Sequence, residues 1–425
     1  MRLRPWKRTG IWRSGAFLRV WTASAVSSAG DQVSKLALPI IAIATLHAGP
    51  FEVGLLLTVE QLPQLLFPLI AGAWIDRLPK RSVLLVCDIG RAAVLIVVPL
   101  TAWVDLLSMP ILFVTGFVAG TFTTWHKIAW QSMLPLVTER GDLIPAAAAI
   151  GQVEAIAEVG GPMAGGGLVG LVGGPAAILV DALSFAGSAL LIRQLPRNER
   201  LHQGTHPPIL GQIRQGVAYI ARDPILRAIG LSGSVGVFAF AMRAPLLSVF
   251  LLDEKGLSPG RYGLIFSLSA VGFLLGSFLP NPVARRIGVG NAIVWPHIGF
   301  GLAFAGVALA VSLDHRAPLI IAVMLMIEGV FEPINNINQL SLRLSLMPAE
   351  MRGRLTSVVR FLVRGSYPIG ALLGGWLGER IGISWALWIA VAGMPLGMLC
   401  YWGSGVLAYR TLPSLPIEAA PAIGE

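Results

Sequence analysis

Charge is scarce in this chain: Asp, Glu, Lys and Arg make up 13% of its 425 residues, where a soluble domain carries about 25%. At roughly 150 residues per domain the length alone would suggest two or three soluble units, but so little charge on so apolar a chain (55% of residues) excludes an ordinary cytosolic protein. Cysteine is nearly absent too, with Cys87 and Cys400 alone, so no disulfide framework holds it. No Lys follows a Gly, which removes GxxxxGK[ST] and ATP hydrolysis in its common form. HExxH and GxSxG are missing and the six His are scattered, so a metal or serine hydrolase has no visible constellation. Neither enzyme activity nor a cofactor is expected. What the chain has is hydrophobicity, at a mean hydropathy of +0.73, with 49 Gly and 29 Pro set among the apolar runs.

Windows able to cross about 30 Å of hydrocarbon, near 20 residues each, recur along the whole length. Twelve are placed: 17 to 46, 51 to 73, 82 to 104, 109 to 133, 143 to 170, 175 to 195, 225 to 251, 260 to 281, 289 to 312, 317 to 343, 355 to 378 and 384 to 409. The alternating ten-residue strands of a membrane barrel are absent. The fold class expected is therefore an all-α integral membrane protein, with twelve transmembrane helices in two pseudo-symmetric six-helix bundles. The longest polar gap divides the windows six and six, giving an N-terminal bundle over 1–195, a cytoplasmic linker over 196–224 and a C-terminal bundle over 225–425. Within the linker, Ile209 to Ala221 reads as a short amphipathic helix at the membrane surface.

The formal charge of +10 takes its meaning from where the cations sit. Alternate loops are basic, and only Lys255, Arg261, Arg316 and Arg380 of the 32 Lys and Arg fall in the other set of loops. That asymmetry is the positive-inside pattern and places both termini in the cytoplasm. It absorbs the basic charge, so no nucleic-acid partner is expected. Met1 to Arg19 is basic like a signal n-region, but the apolar stretch behind it is too long for an h-region, so an uncleaved first span is expected.

Two motifs and their positions carry a family resemblance. Gly72, Asp76, Arg77, Lys80 and Arg81 lie between the second and third windows in a pattern similar to GxxxDRxGRR, and the spacing Gly72–Arg81 recurs in the second half as Gly276–Arg285. The fifth window carries Gly161, Pro162, Gly165 and Gly166 as GPxxGG. Small residues permit close helix approach and a Pro bends the helix. Together these resemble the loop latch and the antiporter motif of the major facilitator superfamily, whose parallel six-span repeats are a transporter architecture. Gly30 with Asp31, Leu134 with Pro135, Asp181 to Phe185, Asp223 to Arg227, and Pro348 with Arg352, Gly353 and Arg354 are similar to the branch containing enterobactin exporters and macrolide efflux pumps. The resemblance implies proton-driven export of a bulky amphiphilic small molecule. Pro79 stands where the latch pattern has Gly, Pro280 where its repeat has Asp, and the Arg of the superfamily's span-four motif RxxQG is missing.

Charges inside the windows cost about 2.5 to 3.5 kcal/mol each at mid-bilayer, so each needs a partner or a wet cavity. Ser24, Ser27, Ser28, Asp31 and Lys35 share one helical face of the first window. Asp31 and Lys35 can pair as neighbours four apart, or Asp31 can carry a proton. With Lys35 and Glu60 it forms the expected proton-coupling group. Glu328, Glu332, Asn335, Asn336 and Gln339 share a face of the tenth window. Spans one, four, seven and ten line the cavity in the superfamily, so His126, Lys127, Gln131 and Arg243 join that stripe as expected cavity residues; interhelical hydrogen bonding is the alternative. Arg360 and Arg364 share a face of the eleventh window, where the family's gate partners sit, and complete the expected gating set. Asp88 and Arg91, one turn apart, read as a structural pair. The expectation is a monomeric multi-pass transporter of the cytoplasmic membrane, moving protons and a small molecule. Because the fold runs in either direction, proton-coupled or facilitated uptake of a small metabolite stays open.

Overall fold

The structure is a computed structural model and describes residues 10–68, 74–75, 78–138, 140–195, 209–313, 316–348 and 351–413. Backbone polar groups have no water to bond in hydrocarbon, so apolar windows of this length satisfy them internally as helices. Span one is Gly15–Ala44, span two Pro50–Leu66, span three Lys80–Leu95 continued by Val97–Trp103, span four Met109–Val137, span five Leu143–Val172 and span six Gly174–Arg193. After the helix Ile209–Arg222 come span seven, Pro224–Val249 ending in a π-helical turn Phe250–Glu254, and span eight, Pro259–Gly276 followed by Pro280–Ile287 at a bend of 56°. Span nine is Val289–Val294 continued by Pro296–Leu313, span ten Ala317–Leu346, span eleven Arg352–Ile381 and span twelve Ile383–Leu399.

Six of these helices are long and apolar enough to cross a bilayer on those grounds alone, and the bent pair of span eight makes a seventh. Spans two and twelve are 17 residues as described, while spans one, four and eleven are diluted by the polar residues noted above.

The two halves repeat in detail. Ser14 caps span one by accepting from Phe17 N–H, and Asp223 caps the equivalent span seven by accepting from Ile225 and Leu226 N–H. Gly173 turns span five into span six at φ 84°, and Gly382 turns span eleven into span twelve at φ 87°, a left-handed conformation that glycine adopts without Cβ strain. In the first half, span one packs on five and six, three on four and six, and two on four. In the second half, seven packs on eleven and twelve, nine on ten and twelve, and eight on ten. Adding six to each number of the first set yields the second. Among the described residues the two largest contacts between halves are span two with eleven and span five with eight, and they too are related by that exchange.

The helix Ile209–Arg222 belongs with the second half. Its Ile220 packs into an apolar cluster with Leu226, Leu355, Val358 and Val359.

The apolar core is uneven along the membrane normal. At the end away from this helix, here the far end, a single cluster runs through both halves, from Ile40, Ile41 and Leu56 to Phe250, Leu251 and Ile321. At the linker end the clusters separate. Phe17, Leu84, Met133 and Ile150 belong to one in the first half, and Ile229, Ile293, Leu342 and Val358 fall in two others in the second. The halves are fused at the far end and parted at the linker end.

Candidate functional site

Two glycine seams shut the far end. In span five, a methyl group at Gly166 would stand 2.5 Å from the Pro259 carbonyl oxygen, and one on Gly263 of span eight would stand 2.2 Å from that of Pro162. Gly161 and Gly165 of the same motif face Gln32 and Val33 of span one, so the expected antiporter motif locks span five against spans one and eight at once. In the other seam a methyl group at Gly54 would meet the Ala371 carbonyl oxygen at 2.5 Å, and one at Gly375 that of Pro50 at 2.4 Å. Such contacts let backbones meet where lipid offers no hydrophobic drive. Thr58 Oγ1 donates to the Pro368 carbonyl across this seam at 2.9 Å, and Phe51 N–H donates to Glu379 Oε2 at 3.3 Å.

Below the seams, polar side chains from both halves face one space. Lys127 of span four lies within electrostatic reach of Asp31 and Lys35 on span one, Glu154 on span five and Arg364 on span eleven. Glu332 of span ten is similarly placed toward Glu328 and toward Glu158 of span five. Lys35, Lys127, Gln131, Glu154, Glu158, Glu332, Asn336, Arg360 and Arg364 are exposed. Their exposure on facing helices of both halves, where the apolar clusters are separate, makes the space between them a polar cavity on the linker side. A separate pocket of about 500 Å³ between spans two, three and four, among Phe67, Val83, Val86, Phe122 and Trp125, is apolar and reaches the buried charged cluster only through Cys87.

Asp31 has a different partner from the one expected. Its Oδ1 lies 3.4 Å from Arg91 Nη1 of span three, while Lys35 donates to Gln32 at 3.3 Å. The reason is reach: Lys35 turns outward into the cavity, whereas the Arg91 guanidinium lies buried between spans one, three and six. Arg91 also donates to Asp88 and to Ser27 Oγ at 3.3 Å, and stacks over the Phe185 ring with its guanidinium carbon 3.9 Å from the centroid. The pair read as merely structural is thus the centre of a network. His126, placed in the cavity by the sequence reading, is buried, with Nε2 3.3 Å from Asp88 Oδ1. Asp181 of span six, fully buried, accepts from Ser34 of span one and from Ser184 at 3.1 Å.

The second half has its own buried guanidinium. Arg243 forms a fork with Glu328, at 2.6 Å and 3.2 Å, over the rings of Phe304 and Phe240. Other members of the span-ten stripe are spent between helices: Asn335 donates to the Ile293 carbonyl at 2.6 Å and Gln339 to the Tyr401 hydroxyl at 3.2 Å. Glu60 is brought near Lys35 and Tyr367, and its Oε1 is buried without a hydrogen-bond partner. Of the expected gate, Gly72, Asp76 and Arg77 lie outside the described residues. Lys80 donates to the Ile75 and Leu78 carbonyls at 2.6 Å and 3.1 Å, Arg81 donates to the carbonyl of Arg193, and Arg364 donates to Gln64 across the halves at 3.5 Å.

A family model described as transmembrane secretion effector matches residues 10–416. The chain is 27% identical over 423 residues, 96% of each chain, to a protein of Mycobacterium tuberculosis named multidrug efflux pump Tap. It is 23% identical, over 85% of this chain and 86% of the other, to an uncharacterized MFS-type transporter, YfiS, of Bacillus subtilis. Among solved structures, a bacterial homologue of the iron transporter ferroportin in an inward-facing state superposes with a TM-score of 0.75 at 16% identity, covering 92% of this chain and 98% of that one. Its outward-facing form, at 17% identity and covering 92% and 99%, reaches 0.58. At such identity these likenesses bear on the fold alone.

Proposed function

We propose, from the premise that this chain belongs to the transmembrane secretion effector family of the major facilitator superfamily, that it exports a bulky amphiphilic small molecule in exchange for protons. Family membership makes it a multi-pass membrane transporter and not an enzyme. The observation that carries the finer reading is the cavity: polar groups of both signs on both halves, sealed at the far end by the seams and open at the linker end. With the linker in the cytoplasm, as the charge asymmetry of the loops favours, the cavity faces the cytosol and is ready to load cargo there. The relationship to an efflux pump over nearly the whole chain supports export.

In this reading Asp31, with Lys35 and Glu60, couples protons to the cycle. Lys127, Gln131, Glu332 and Asn336 face cargo, and the Arg243–Glu328 fork forms the wall behind them. His126 serves from behind the cavity wall, while Asn335 and Gln339 hold span ten in place. Asp76, Arg77, Lys80 and Arg81, with Arg360 and Arg364, close the linker end in the opposite state. The protein works as a monomer in the cytoplasmic membrane, with the first bundle ending near residue 195 and the second beginning near 225. A mixed polar cavity suits a large amphiphile better than a sugar, which wants dense neutral hydrogen bonding. The test is transport into everted vesicles energised by an acid interior, compared with uptake into right-side-out vesicles. Accumulation of ethidium only in the former supports export, and accumulation only in the latter sinks it. Asp31→Asn should abolish the gradient-driven component at equal expression, and full retention would remove Asp31 from coupling.

A further inference from the structure

We propose that Asp88 and His126 form a second, buried proton-binding site in the first half, joined to the cavity through Arg91 and Asp31. This deepens the proton-coupling reading above and rests on it only for the route of entry. One guanidinium serves two carboxylates, with Nη1 toward Asp31 and Nη2 toward Asp88. Their surroundings differ: the Asp31 side chain is 27% exposed and that of Asp88 0%. His126 Nε2 faces the same Asp88 oxygen that Arg91 holds. Arg91 Nε is buried without a hydrogen-bond partner, a cost that native interiors rarely bear, His126 Nε2 has only the Asp88 contact, and the buried Ser188 hydroxyl of span six is the other group that faces Asp88.

The charges do not balance either. Asp31 on span one, Asp88 on span three and Asp181 on span six are three carboxylates around the Arg91 guanidinium, with the Cys87 thiol beside them. Lys35 and Lys127, the other cations facing the cluster, stand exposed in the cavity. An uncompensated ion in such a place costs several kcal/mol. Two protons remove the excess. One binds the carboxylate of Asp31 and releases Nη1, so that Arg91 turns wholly to Asp88. The other binds the imidazole of His126, whose contact with Asp88 then becomes an ion pair. No bond other than these two O–H and N–H bonds forms, and return to the resting state gives both protons back.

The experiment counts protons directly and needs no cargo. Purified protein in nanodiscs is jumped between about pH 8 and 5, where an imidazole changes charge, and uptake is read with an indicator dye. Relative to the parent, His126→Gln and Asp88→Asn should each bind about one proton fewer per molecule, and the double variant no fewer than either single one, because the two residues share a single site. Gradient-driven ethidium transport should lose steepness in its pH profile in the same variants, and Asp88→Glu should restore it. Parental proton uptake and an unchanged profile in His126→Gln overturn the inference, since a merely structural, neutral imidazole leaves both where they were. Should Asp88→Asn fail to fold, His126→Gln decides alone. Asp31→Asn reports separately: full coupling in that variant overturns the role of Asp31, while loss there with a parental His126→Gln overturns only the buried site.

Discussion

Glu328 and Glu332 are one turn apart on span ten yet keep different company. Glu328 is neutralised by a forked contact to Arg243 over two aromatic rings, whereas Glu332 is exposed and makes no ion pair among the described residues. Removing one partner of a buried pair costs about 3 to 5 kcal/mol because the other charge is left behind. Glu328→Ala should therefore lower the melting temperature in detergent, and Glu328→Ala with Arg243→Met should recover much of that loss. Glu332→Gln should leave melting near the parent and instead weaken export of cationic amphiphiles more than neutral ones; an identical compound profile at equal expression would place the cargo site elsewhere. The sequence showed both acids on one face because helical spacing reports direction. It could not assign Arg243 to one of them, nor take Asp31 from Lys35 to Arg91, because those choices depend on which helices become neighbours.

The helices themselves were far more legible than their contacts. Each of the twelve windows overlaps a helix, since the need to satisfy backbone groups in hydrocarbon leaves little else, although the last helix ends at Leu399, ten residues before the expected edge, and the second is described only to Leu66. The amphipathic pattern likewise located the linker helix. Gly54 and Gly375, by contrast, carry no motif in the sequence, and it is through them that spans two and eleven touch. Their closeness leaves no room for a side chain, so Gly375→Leu should hold the far end ajar. A cysteine at Gln131, toward the linker end of the cavity, should then react faster with an impermeant maleimide added from the far side, and efflux should fall. Glu379→Ala, which removes only the carboxylate that accepts from Phe51 N–H, should act in the same direction and more weakly. Equal labelling in Gly375→Leu and the parent would mean that the seam does not gate access.

Across the whole molecule, one fused core at the far end and separate cores at the linker end are, in the proposed transport cycle, one of two states. Alternating access requires a second, in which the linker end closes and the seams part, and ligands move the balance only by binding the two states unequally. Two cysteine pairs can report both ends. Residues 51 and 379 meet at the far end, while 127 and 364, each on a different half, face one another across the open cavity. In membranes without cargo or gradient, a short reducible crosslinker should bridge 51 and 379 readily and stop transport until it is cleaved, because it fixes the far end shut. The pair 127 and 364 should be bridged readily only by a long crosslinker. An acid far side should slow the first crosslink and shorten the bridge that the second pair needs, because both follow from a single exchange between states. If the gradient changes one pair and leaves the other untouched, the two ends open independently, and the rigid exchange implied by the repeated helix packing does not describe this protein.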